Sequence, residues 1–199
     1  MNSNLIVSFS FHFKNILEYK LTKNNHVQTY PFYYNQFDVS FDIRPTGTVE
    51  KYGSIIHLTR GENIKRYGDR VPAVWFSPRT RRLHICSAIN GKKNFCYNDH
   101  TDLPKTRFTK VRIFQKRTSK GQFIFTVVIN SKIKKVIANK APATFYNVKY
   151  FLGNPWSPPA KAVVKNVKIK LSQSGNDIVK FYRVYFLKKN YIFSNFSRI

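Results

Sequence analysis

Three observations predict an all-β chain folded as an antiparallel two-sheet sandwich of the jelly-roll kind. Apolar residues recur at every second position in short runs, turn residues separate these runs at regular spacing, and Glu is scarce. The 199 residues hold 9 Asp and Glu against 35 Lys and Arg, so the Glu–Lys pairs that support ordinary helices are missing. Aromatic residues reach 16%, with 18 Phe and 12 Tyr, and such side chains suit a pleated, half-buried surface. With 42% hydrophobic and 22% charged residues, the composition excludes a disordered chain. The length suits one all-β domain, and no apolar run reaches the roughly 18 residues of a spanning helix.

The elements follow in order. In residues 5–13, Phe9, Phe11 and Phe13 alternate with Ser8, Ser10 and His12, which reads as a strand, with a degenerate secretion signal as the alternative. Residues 1–36 are thus assigned to N-terminal strands or a leader. In 36–43, Phe37, Val39, Phe41 and Ile43 alternate with Asp38, Ser40 and Asp42, the pattern of a half-buried strand. After the turn at Pro45-Thr46-Gly47, strands are expected at 53–59, 73–76, 83–88, 108–115, 123–129, 132–138, 146–152 and 162–171. Gly, Pro, Ser and Asn mark the connections. A last strand at 179–187 and a basic tail make up residues 172–199, leaving 37–171 as the jelly roll.

The formal charge of +26 points to anionic partners. A plainer source competes with that reading. Lys, Asn, Ile, Phe and Tyr all have A/T-rich codons, and Lys outnumbers Arg about two to one, whereas phosphate recognition favours the planar fork of Arg.

The most specific stretch is Tyr67-Gly68-Asp69-Arg70-Val71-Pro72-Ala73-Val74-Trp75-Phe76, followed by Leu83-His84-Ile85-Cys86-Ser87-Ala88-Ile89-Asn90-Gly91 and Asn94-Phe95-Cys96. Together with residues 53–59, Phe145-Tyr146-Asn147-Val148 and Gly153-Asn154-Pro155-Trp156-Ser157-Pro158-Pro159-Ala160, it resembles a concanavalin A-like, laminin G-like jelly-roll module of invertebrate extracellular proteins. The resemblance spans residues 37–171. It implies a secreted or surface location and binding of a glycan or an extracellular matrix protein, without catalysis. Similar sequences often carry a cysteine pair before Tyr-Gly-Asp-Arg; here Ile64-Lys65-Arg66 stands in its place.

Cys86 and Cys96 flank the hairpin signal Asn90-Gly91, which faces them across adjacent strands. In an extracellular module an even pair reads as a disulfide; two reduced, buried thiols are the alternative. Their spacing lacks the paired motif of a structural zinc site, so no metal is assigned. His57 and His84, each inside an apolar strand, read as partly buried histidines rather than a shared metal site. The lone sequon Asn195-Phe196-Ser197 agrees with secretion.

Asp69 and Arg70 are candidate ligand residues, with a structural alternative: Asp69 closing an Asx-turn and Arg70 pairing with it or with Asp42. No cofactor is expected. Calcium would have only Glu62, Asn63 and Asp69 nearby. Trp156, in a Pro-rich loop, is the candidate stacking surface, and Trp75 reads as core. Arg79, Arg81 and Arg82 form the candidate basic cluster, joined by Lys132, Lys134, Lys135, Lys168 and Lys170. These groups motivate the second functional reading, a polyanion-binding protein for sulfated glycans or non-specific nucleic acid. Specific nucleic-acid motifs are missing. A glycosidase needs two carboxylates about 5–9.5 Å apart. Asp38 and Asp42 share a strand face at about 13 Å, and Asp99 and Asp102 are the remaining pair that could meet. The chain therefore reads as a non-enzyme.

Overall fold

The computed structural model describes residues 18–172 with their side chains and the backbone of 179–183. The strand expected at 5–13 and the sequon at Asn195 lie outside these residues, and of the expected last strand only Val179–Arg183 lies within them.

Two antiparallel sheets form a jelly-roll sandwich. The first has the order β1 (Tyr19–Lys20), β12 (Ala162–Ser172), β3 (Gln36–Pro45), β8 (Thr109–Arg117), β9 (Phe123–Ile129) and β10 (Lys132–Asn139), with β13 (Val179–Arg183) also pairing to β12. The second runs β2 (His26–Tyr33), β11 (Phe145–Leu152), β4 (Gly53–Thr59), β5 (Ala73–Phe76), β6 (Leu83–Ile89) and β7 (Lys92–Asn98). No helix occurs among the described residues, and so none is long and apolar enough to cross a membrane.

The alternation in β3 does what it predicts. Phe37, Val39, Phe41 and Ile43 are buried between the sheets, while Asp38, Ser40 and Asp42 are half-exposed on the outer face. Opposite them, the second sheet contributes Tyr30, Tyr33, Ile56, Leu58, Val74, Leu83, Val148 and Tyr150 to the same core. At about 25 cal/mol per Å², each such side chain stabilises the fold by roughly 1.5–3 kcal/mol before entropy is counted.

β4 and β5 are buried along their whole length. A strand facing water on one side would alternate, so their outer face must also be covered. A second, smaller cluster of Ala73, Trp75 and Cys86, with Cys96 against it, lies apart from the main core. It forms the floor of the candidate site.

Candidate functional site

The register across the second sheet defines that floor. One row runs through Phe151, His57, Ala73, Cys86 and Cys96, and the next through Ser54, Trp75, His84 and Asn98. Directly paired residues share a face, so both rows look outward. Their rings form a continuous band. Phe151 meets Trp156 at 6.2 Å between centroids, and His57 touches Trp156 and Trp75 at 5.2 Å each. Trp75 then meets His84 at 5.8 Å, and His84 meets Tyr52 at 4.8 Å. The middle is covered, since Trp75 is 2% exposed beneath the Arg70 guanidinium, 4.5 Å from its ring centroid. Either side of this cover the band opens, with Trp156 at 38% and Tyr52 at 43%, while Phe151 is buried at 6%.

Asn154 fixes the exposed tryptophan. It is fully buried, and its Oδ1 accepts the backbone N–H groups of Trp156 at 3.0 Å and Ser157 at 2.8 Å. Its own N–H donates to Ser54 Oγ at 3.0 Å. The preceding Gly153 adopts a φ of +90° with its α-carbon against the Thr22 carbonyl, where a side chain would overlap that oxygen. Glycine alone satisfies both demands.

His57 completes the support. Its Nε2 lies 2.7 Å from the Asp69 carbonyl oxygen, which can only accept, so Nε2 carries the proton. Nδ1 is then an acceptor for Asn154 Nδ2–H at 2.9 Å. This neutral tautomer uses both ring nitrogens. Burial drives its pKa down to about 3, with the Arg70 charge adding to the fall against the opposing Asp69 hydrogen bond. His57 is thus more buried and more fully bonded than the sequence suggested. His57 and His84 each contact the Trp75 ring, and their four ring nitrogens meet four different partners: the Asp69 carbonyl, Asn154, Asn98 and Cys86 Sγ.

Asp69 and Arg70 occupy positions their sequence neighbours do not reveal. Asp69 is buried and its Oδ2 accepts the Arg66 N–H at 2.7 Å, closing the loop backwards rather than as a forward Asx-turn. Arg70 pairs with neither Asp69 nor Asp42. Its Nε donates to the Asn63 carbonyl at 3.1 Å, one Nη to Asn63 Oδ1 at 3.0 Å and the other to Asn94 Oδ1. The reason is topological: Asp42 belongs to the first sheet, where it accepts from Asn166 Nδ2 at 2.6 Å. Of the acceptors considered for calcium, Asn63 is engaged by Arg70, the Glu62 carbonyl by Thr59 Oγ1 and the Glu62 carboxylate by Lys65 at 3.6 Å, while Asp69 Oδ1 is buried without a hydrogen-bond partner.

Cys86 and Cys96 are directly opposed on β6 and β7 and form a disulfide. His84 lies beside it, with Nε2 3.0 Å from Cys86 Sγ and Nδ1 bonded to Asn98 Oδ1. Its pKa is lowered, chiefly by burial.

The arginine cluster is partly offset by neighbours. Arg81 and Arg82 share Asp102 at 3.4 Å each, and Arg79 reaches Glu50 at 3.9 Å. Asp102 is thereby committed to arginines while Asp99 accepts from the Tyr97 hydroxyl at 3.3 Å, so the two carboxylates serve different partners. Tyr52, Phe151 and Asn154 belong to the site although the sequence reading did not single them out. Only Asn154 left a signal there: an Asn two residues before an aromatic in a Pro-rich loop is placed to accept the following N–H groups.

No protein-family model matches the chain, and no curated protein sequence does so either. Solved structures do match. The native heptameric SAP-like pentraxin from Limulus polyphemus is 10% identical, with 76% of this chain aligned to 74% of that one and a TM-score of 0.50. The LG4-5 domains of mouse laminin alpha1 share 11% identity over 84% of this chain and 45% of that chain, TM-score 0.48. Sheep galectin-11 shares 12% over 73% and 97%, TM-score 0.41. Identities this low speak to architecture rather than ligand. The two antiparallel sheets, with the superposition on the pentraxin, give the chain the concanavalin A-like jelly-roll fold.

Proposed function

We propose that the chain is a non-catalytic extracellular recognition module that binds a glycan, free or displayed on a matrix protein, at the aromatic band of the second sheet. The observation that carries this reading is Trp156: 38% exposed, backed by His57 and Phe151, and held in its loop by the Trp156 and Ser157 N–H groups donating to a buried Asn154. A ring fixed before the ligand arrives loses little entropy on binding, and an indole face beside polar groups suits the apolar face of a sugar. Arg70, Asn63 and Asn94 supply those polar groups alongside the band. The non-catalytic part of the reading is supported by the carboxylates: Asp38 is bound to Arg112 and Asp42 to Asn166. The disulfide supports an oxidising location.

A glycan array read at low and high salt tests this reading. Binding to a neutral glycan is expected to persist at high salt, because stacking is not screened. Trp156→Ala is expected to weaken it roughly tenfold or more, as for a buried anchor at an interface. Equal binding by wild type and Trp156→Ala would overturn the site. Hydrolysis of an arrayed glycan, abolished by changing one carboxylate, would overturn the non-catalytic reading.

A further inference from the structure

The outer face of the first sheet carries a different surface. Pairing across β12, β3 and β8 sets Lys165, Asp42 and Lys110 in one row, Lys168, Ser40 and Arg112 in the next, and Lys170, Asp38 and Phe114 in a third. The register shift in β12 between Lys165 and Lys168, where Asn166 takes a φ of +54°, keeps Lys165 and Lys168 on the same face. The acidic residues in these rows are already occupied: Asp38 accepts a bidentate bond from Arg112, and Asp42 accepts from Asn166. Lys110, Lys165 and Lys168 form no ion pair with a carboxylate among the described residues. Between Lys110 and Arg112 the face sinks into a depression of about 300 Å³, lined also by Val128 and Ser131. That volume is at the small end of ligand sites.

We propose that this face binds a sulfated polysaccharide chain, with Lys110, Lys165 and Lys168 as its anion contacts. This surface lies on the opposite sheet from Trp156 and does not depend on that site. Successive strands are about 4.8 Å apart and alternate residues about 6.8 Å, so the cations form a two-dimensional grid suited to anionic groups repeated along a chain. The rings on this face favour a sulfated chain over a single-stranded nucleic acid. Lys165 Nζ sits 3.9 Å above the Phe108 ring, and Arg112 and Lys116 lie 4.6 and 5.6 Å from that of Phe114. Bases would need bare rings to stack on.

The test uses the full chain and an immobilised sulfated glycosaminoglycan beside its desulfated form. The sulfated form alone is expected to bind. Lys110→Gln/Lys165→Gln/Lys168→Gln is expected to weaken binding roughly tenfold or more and to reduce the slope of log affinity against log salt by about 2–3. A control of equal charge, Lys92→Gln/Lys105→Gln/Lys140→Gln, takes exposed lysines away from the face and is expected to change affinity less than about twofold. Equal losses in the two variants would overturn the proposal and leave only net charge. Tighter binding to duplex DNA, or to vesicles of anionic phospholipid, than to the sulfated chain would overturn it as well. An unaffected Trp156→Ala variant in this assay separates the result from the glycan site.

Discussion

His57 shows how one side chain couples the site to the stability of the sheet. Its neutral form is bonded at both nitrogens and its pKa falls to about 3, against about 6.5 in an unfolded chain. Above pH 6.5 neither state holds the extra proton. Between 6.5 and 3 the unfolded chain takes it up and the folded chain does not, so stability is lost as pH falls through this window. The slope from this one group is at most about 1.4 kcal/mol per pH unit. Denaturant unfolding at pH 7, 5.5 and 4 is expected to show this loss, and His57→Gln, which removes the titrating group, is expected to flatten it. A variant with the wild-type slope would show that other groups set it. The same residue marks a limit of sequence reading. A histidine between Ile56 and Leu58 reads as buried, but its partner Asn154 is 97 positions away, and no local pattern connects them.

At the level of the element, legibility followed the buried pattern. β3 was plain in the sequence because its inward positions alternate without interruption. β2 falls in the 1–36 region assigned to N-terminal strands or a leader, but its own bounds were not legible because its buried residues, Val27, Tyr30 and Tyr33, recur every third position. The partner strand is irregular to match: Asn147 takes a φ of +53° opposite it, and the register shifts once, between Tyr150 and Phe151. Irregular pairing of this sort changes which side chain faces inward. β7 offers no fully buried residue at all, and only the Asn90-Gly91 turn and Cys96 hinted at it. The cysteine pair ties this thinly anchored strand to β6. Replacing both cysteines by Ser is accordingly expected to cost about 2–3 kcal/mol, mainly by freeing the unfolded chain, and to reduce protection of β7 amides first in hydrogen exchange. Global stability unchanged by the double substitution would refute this account of the bond.

The whole molecule gathers charge that the chain scatters. The clusters conspicuous in sequence, Arg79, Arg81 and Arg82, meet Glu50 and Asp102. The cations that share a face come instead from strands more than fifty residues apart, and strand order alone brings Lys168 beside Ser40 and Ser40 beside Arg112. Charge also gathers at the border of the sandwich. β7 and β10 are the last strands of their sheets, and they lie side by side, with the Asn90 N–H donating to Asn139 Oδ1 at 2.9 Å and Lys135 Nζ 5.9 Å from the Phe95 ring. An unpaired strand border invites another chain to add to it, and lysine is a common guard. β10 needs one, because Ile133 and Val136 are 66% and 53% exposed among Lys132, Lys134 and Lys135. Repulsion between these borders should therefore set how long a concentrated solution stays clear. Lys132→Gln/Lys134→Gln/Lys135→Gln, or lysine acetylation, is expected to shorten the lag before thioflavin-positive fibrils form, most visibly at low salt where repulsion reaches furthest. If the lag is unchanged, the barrier to fibril growth lies in the backbone geometry of the border and not in its charge.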